Sequence, residues 1–150
     1  MNQHQTIRVR GRIRFELRDA LGQLKDRWSV PNLVVNSGLY HIADRLADLA
    51  QDAMSHMAVG TDDTSPPAAG DTALGAEVGR VALDSVTRTD NEIEYVATFP
   101  PGVGTDALVE AGIFNDDTAG EMLCRATYAV KTKAAGDTLV VTWTLTISAT

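Results

Sequence analysis

A single cysteine, Cys124, stands in the 150 residues. That excludes an internal disulfide and any metal centre built from several thiolates. Histidine is nearly as scarce. His4, His41 and His56 are the only three, and none has a second histidine or cysteine at a ligand spacing such as H-x-x-x-H. The expectation is therefore no metal, with His41 and His56 as ordinary surface or boundary residues. Aromatic residues make up only 5 %. No run of 18 apolar residues occurs, so no helical membrane span is expected. Met1 to Thr6 is polar and lacks the apolar core of a secretory signal, and a chain with no disulfide stapling fits the bacterial cytoplasm. There is no G-x-x-x-x-G-K loop, no G-x-G-x-x-G after a strand and no G-x-S-x-G elbow. Phosphate-loop, dinucleotide and serine-hydrolase chemistry thus have no carrier, and no cofactor is expected.

What remains is an ordinary globular composition, 44 % hydrophobic and 22 % charged, in a length that suits one domain. Charge is unevenly spread. Residues 1–30 carry seven basic against three acidic side chains, a balance of +4, whereas residues 31–150 stand at −11. An overall balance of −7 repels phosphate and argues against nucleic acid as the partner of the whole molecule. The local asymmetry instead suggests a surface with a specific partner.

Period-two patterning dominates the chain. Ile7, Val9, Ile13, Phe15 and Leu17 occupy odd positions with Gly11 the one gap, and Arg8, Arg10, Arg12, Arg14, Glu16 and Arg18 occupy even ones. Side chains on a strand alternate between faces, so one face is buried and the other is a ladder of arginines. The turn residues of 19–22 and the run Gln23 to Val30 complete an N-terminal hairpin over 7–30. After Pro31, Leu33 to Val35 is a short strand. Leu39, Ile42, Ala43, Leu46 and Leu49 then fall at helical spacing, predicting one helix over 38–50 with Ser37 as its N-cap. Met57 to Val59 is a short strand. The polar stretch within 60–73 is an exposed loop. Val78 to Thr87, Ile93 to Phe99, Leu108 to Phe114, Met122 to Val130 and Leu139 to Ile147 read as five further strands. The fold class is mainly β, a β-sandwich or jelly-roll-like domain with one helix near its N-terminal third.

Few residues invite chemistry. Cys124 lies mid-strand where a small apolar side chain is wanted, on the face assigned to Met122 and Ala126, and reads as a buried inert thiol. Asp62-Asp63 and Asn115-Asp116-Asp117 lack the alternating spacing of a calcium loop and read as solvated turns. Glu92 and Glu94 share a strand face, but no aromatic cleft accompanies them. The domain is expected not to be an enzyme. The arginine ladder is the most informative feature left. Like charges on one face repel, so acids must lie opposite: Glu92 and Glu94 on a neighbouring strand, or a neighbouring subunit. Nucleic acid is the third option. Arg8, Arg10, Arg12, Arg14 and Arg18 are the candidate subunit contacts.

Several short signatures occur in consistent order: Asn32-Leu-Val-Val-Asn-Ser-Gly-Leu39, His41-Ile-Ala43, Met57-Ala-Val-Gly60, Leu74 with Glu77 and Arg80, Glu110-Ala-Gly-Ile-Phe114, Gly120 with Leu123, and Tyr128 with Lys131. From about residue 32 to 131 the chain resembles tailed-bacteriophage virion proteins. It is similar to the N-terminal module of tail-collar fibre proteins and to small head decoration or accessory proteins. The resemblance implies a non-enzymatic virion structural protein, assembled in the bacterial host cytoplasm as a homo-oligomer. Its partners would be the major capsid protein or tail and baseplate proteins, with no membrane. Gly38, Gly60, Gly112 and Gly120 would be turns or close backbone approaches. Glu110, in an apolar strand, needs a partner such as Arg80 or Arg125 in a framework salt bridge.

Two departures bear on which virion part is meant. The arginine hairpin lies outside the matching stretch, and the sequence ends at Thr150 with no fibre shaft. Both favour a capsid decoration (cement) protein, with a tail fibre or baseplate attachment component as the alternative. From a different class comes a carbohydrate-binding β-sandwich, for which only Trp28, Trp143, Tyr40, Tyr95 and Tyr128 could supply a stacking platform.

Overall fold

The computed structural model describes residues 4–150. Its strands are β1 (Ile7–Arg18), β2 (Leu24–Pro31), β3 (Leu33–Val34), β4 (His56–Gly60), β5 (Glu77–Ala82), β6 (Ser85–Thr89), β7 (Glu92–Phe99), β8 (Ala107–Phe114), β9 (Met122–Thr132) and β10 (Thr138–Ala149), with one helix, α1 (Asn36–Leu46), between β3 and β4. They form two five-stranded antiparallel sheets. The first has the order β2-β1-β10-β7-β6 and the second β3-β9-β8-β4-β5. The domain is mainly β, a sandwich of these two sheets with one helix.

Alternation in the sequence becomes the two faces of the first sheet. Ile13, Phe15 and Leu17 of β1 and Leu139, Val141, Trp143 and Leu145 of β10 point inward and are buried. From the second sheet Met57, Val59, Ala111, Ile113, Cys124 and Ala126 meet them in one core. Burying a large apolar side chain stabilises by roughly 1.5–3 kcal/mol, so this two-sided layer is what holds the sheets face to face. The β1–β2 turn is built by Asp19, whose Oδ1 accepts from the amides of Leu21 and Gln23 at 2.9 Å each. Gly22 takes φ +80° there, a conformation that costs glycine nothing.

Where the sequence predicts one strand from Val78 to Thr87, the chain makes two, β5 in the second sheet and β6 in the first. The crossing occurs at two consecutive residues. The Leu83 amide donates to Ser55 O beside β4, and the Asp84 amide donates to Val96 O of β7. Period-two patterning reports extended backbone, not which sheet it joins, so the switch is silent in the sequence.

The helix begins at Asn36 and ends at Leu46, starting two residues earlier and ending four residues earlier than the expected 38–50. Ser37 is not its cap. Val35 holds that position, and the Ser37 hydroxyl donates to Met122 O at 2.7 Å. Of the predicted apolar stripe Ile42 packs against the core, but Leu39, Leu46 and Leu49 are exposed, and the buried residues of the helix are Gly38 and His41. The cause is a close approach. A Cβ on Gly38 would lie 2.1 Å from Leu123 O, so the helix rests on β9 through its smallest residue and turns about one position from the expected face.

β9 carries a second surprise. The register passes from Ile113↔Cys124 to Phe114↔Met122, skipping Leu123. This bulge turns Leu123 toward the main core and places Met122 with Val35, Ala58, Leu74 and Phe114 on the other side of the sheet. Cys124 and Ala126 therefore share a face, but Met122 does not. The 60–73 loop is mostly exposed at its tip, while the buried Leu74 that follows anchors it over that outer cluster.

Candidate functional site

The outer face of the first sheet has a banded chemistry set by register. Arg10, Arg12 and Arg14 on β1 stand opposite Thr146, Thr144 and Thr142 of β10. On the far side of that threonine lane, Thr146 pairs with Glu92 and Thr144 with Glu94 of β7. Two rows thus read Arg10–Thr146–Glu92 and Arg12–Thr144–Glu94; a third reads Arg14–Thr142–Val96. These arginines and glutamates are exposed, and together they line a shallow concavity of about 410 Å³.

β10 lies between β1 and β7, so Glu92 and Glu94 are not on a strand neighbouring the ladder. Two strand spacings separate the columns by roughly 9.6 Å. Among the described residues, Arg8, Arg10, Arg12 and Arg14 make no ion pair with any acid within 4.0 Å. Arg18 differs from its neighbours. It reaches Glu16 at 3.6 Å and donates to Gly22 O at 3.1 Å, and Glu16 is held again by Arg27 at 2.8 Å. The ladder is therefore neutralised at its C-terminal end and bare in its middle.

Glu110 lies on the outer face of the other sheet, fully buried. Its Oε2 accepts from the amides of Asp62 and Ala76 at 3.1 and 2.8 Å. Oε1 accepts from the Gly75 amide at 2.9 Å and from Arg125 Nε and Nη2 at 3.2 and 3.1 Å. Arg125 continues to Asp71 at 3.0 Å and to the carbonyls of Ser65 and Asp62. Every lone-pair direction of the carboxylate meets a donor, which is the condition under which a buried charge is tolerated. The pair clamps the 61–76 loop to the sheet. Arg80 is not part of it: it pairs with Glu77 at 2.6 Å, lies 4.0 Å above the Phe114 ring and donates to the carbonyls of Asp116 and Ala119.

The glycines serve the same packing. At Gly60 a Cβ would come within 2.5 Å of Ala76 O and Glu110 Oε2, and Gly112 is closed in by Leu74 and Phe114. Gly120 takes φ +74°. The gap in the β1 alternation has a cause as well, because the Asn32 side chain fills the space where a Gly11 Cβ would be.

Several of the groups that could carry chemistry are buried or held by neighbouring groups. Cys124 is fully buried, and burial pushes its thiol well above the ordinary range, opposite to what an activated nucleophile needs. Thiol reagents should leave it untouched in the native protein and label it stoichiometrically in denaturant; labelling at native rates comparable to a free thiol would refute its burial. His41 is buried, not at the boundary, with Nδ1 3.4 Å from Glu121 Oε2. His56 is half-buried and its Nδ1 meets Ser55 Oγ at 2.7 Å. Asp62 folds onto Thr64, whose amide and hydroxyl hold its carboxyl below the usual range. Asp117 is held low chiefly by hydrogen bonding to its neighbours Asp116 and Thr118. Among the described residues, no cluster of three or more histidine, cysteine or acidic side chains is placed to bind a metal. Trp143, Tyr95 and Tyr128 are buried, and Trp28 is stacked on Phe15 at 4.7 Å. Tyr40, 64 % exposed, stands without an aromatic companion, so the five aromatics do not form a platform.

Two features have no sequence signal. Lys133 is buried with its ammonium on Pro100 O at 3.0 Å, and desolvation lowers its pKa. Asp137, also buried, takes Lys25 at 2.6 Å across the sandwich edge, and that bond holds its carboxyl low. Both are pairings between residues far apart in the chain. Compared with known protein families, curated proteins and solved structures, the chain matches none of them.

Proposed function

We propose that this protein is a non-enzymatic structural component of a tailed-phage particle, a capsid decoration protein bound in many copies through the outer face of its first sheet. The observation that carries the proposal is the bare middle of the arginine ladder. Among the described residues, three exposed guanidinium groups stand on alternate positions of one strand with no acid within 4.0 Å. Like charges so arranged cost free energy in the lone molecule, and a complementary surface on an assembled particle recovers it. Arginine suits such a contact, since its planar fork binds carboxylates bidentately and is weakly hydrated. The ordered resemblance of residues 32–131 to virion proteins points to the same class. Binding only to the assembled shell stabilises that shell by mass action.

Replacing Arg10, Arg12 and Arg14 together by Ser is expected to leave the thermal midpoint within a few degrees, as exposed positions usually do. The same change should lower incorporation into particles by at least about tenfold in competition with the unaltered protein. Undiminished incorporation at physiological salt would remove the ladder from the assembly contact. The tail-collar likeness favours a second location, a tail or baseplate attachment component. Particles carrying the chain on the tail instead of the head would establish that reading in place of decoration.

A further inference from the structure

We infer that the arginine face binds a second copy of the same chain, about a two-fold axis running along β10 and parallel to the sheet. The inference rests on the reading of that face as an assembly contact and names its partner. Its ground is the order of the columns: basic on β1, neutral on β10, acidic on β7. A two-fold axis along the neutral column carries the basic column of one copy over the acidic column of the other, and keeps each residue at its own height along the strands. Arg10 then lies over the second copy's Glu92, and Arg12 over its Glu94. The symmetry repeats both contacts, giving four opposite-charge meetings per pair.

The remaining rows are compatible. Thr142, Thr144 and Thr146 face their own counterparts. Arg14 lies over Val96, so its guanidinium meets no like charge. Beyond the columns, Pro31 of β2 pairs with Arg12 and Thr87 of β6 pairs with Glu94, so in that row the flanks that come together are uncharged. Sheets packed face to face stand about 10 Å apart. Arginine and glutamate span that distance end to end, and the short threonines leave the shallow trough into which the side chains reach. One arrangement thus explains two facts together. The basic and acidic columns sit on one face without pairing, and the lane between them is lined by small hydroxyls.

The test is a charge-reversal set followed by sedimentation over a concentration series at low and physiological salt. The unaltered chain should self-associate, and salt should weaken it. Arg10→Glu with Arg12→Glu makes both contacting columns acidic in those two rows, and Glu92→Arg with Glu94→Arg makes both basic in the same rows. Each double variant alone should associate at least about tenfold more weakly. Mixed together they should form a heterodimer. A quadruple variant carrying all four reversals restores the alternation and should associate with itself but not with the unaltered chain. Recovery in the mixture and in the quadruple variant also shows that the doubles are folded. An unaltered chain that stays monomeric throughout, or an association indifferent to either double reversal, overturns the inference. If it stays monomeric while the serine variant still loses particle incorporation, the face contacts another virion protein and only self-pairing fails. If the reversal pattern holds but incorporation is undisturbed, self-pairing stands and the assembly role falls.

Discussion

Glu110→Gln is expected to lower the unfolding free energy by about 3 kcal/mol or more, although the side chain changes by a single atom type. Breaking a buried ion pair by removing one partner costs roughly 3–5 kcal/mol, because the other charge stays in a dry site. Arg125 keeps Asp71 at 3.0 Å, which places the expectation at the lower end. The stronger reason is geometric. Oε1 is surrounded by Arg125 and the Gly75 amide, and Oε2 by the amides of Asp62 and Ala76. Whichever way a glutamine amide turns, its NH2 faces donors and finds no acceptor. Because the three amides belong to the 61–76 loop, the loss should be visible there first. Denaturant unfolding should show the lower midpoint, and hydrogen exchange should show Gly75 and Ala76 losing protection before the strands do. A loss under about 1 kcal/mol, within the range of ordinary surface changes, would mean that the clamp does not hold the loop.

Trp143→Ala should cost about 3–5 kcal/mol, the range for deleting a large aromatic from a packed core. Trp143 is fully buried at the centre of β10, between Ile13 on β1 and Tyr95 on β7. Its indole Nε1 is buried with no hydrogen-bond partner among the described residues, so the ring contributes by volume and not through its N–H. Trp143→Phe should therefore lose markedly less than Trp143→Ala, since it keeps a ring and removes an unsatisfied donor. With a marginal total of about 5–15 kcal/mol, the alanine variant is expected to populate unfolded chain at growth temperature. Thermal and denaturant unfolding of both variants provide the check. Equal losses would show that the indole N–H matters after all.

The strands were legible because period-two burial writes itself into β1 and β10 residue by residue. The inward set Ile13, Phe15, Leu17, Val141, Trp143 and Leu145 is readable without coordinates. Three things were not legible, each for a physical reason. The split of Val78–Thr87 into β5 and β6 depends on which neighbour each amide finds, and extended backbone looks alike in either sheet. The bulge at Leu123 reverses the face of Met122, and a one-residue slip leaves no mark in an all-apolar run. The helix face was misplaced because α1 docks through Gly38 against Leu123 O, a contact that requires the absence of a side chain.

The candidate sites divide in the same way. A carboxylate in the apolar run 108–114 announced a buried charge, and either Arg80 or Arg125 was an acceptable partner from sequence. Only the β8–β9 register, with Gly112 opposite Arg125, brings Arg125 alongside. The arginine column could be read directly from β1. That Glu92 and Glu94 lie two strands away, with β10 between, is topology. β1 pairs both with β2, its neighbour in sequence, and with β10, the strand farthest from it in the chain.

Electron cryo-microscopy of intact particles produced with this protein bears most directly on the central claim that the chain works as a contact surface. The expected density has this domain on the head shell in many symmetry-related copies, with the outer face of the β2-β1-β10-β7-β6 sheet buried against a neighbour. Particles on which the domain is absent, or present with that face turned to solvent, would contradict it.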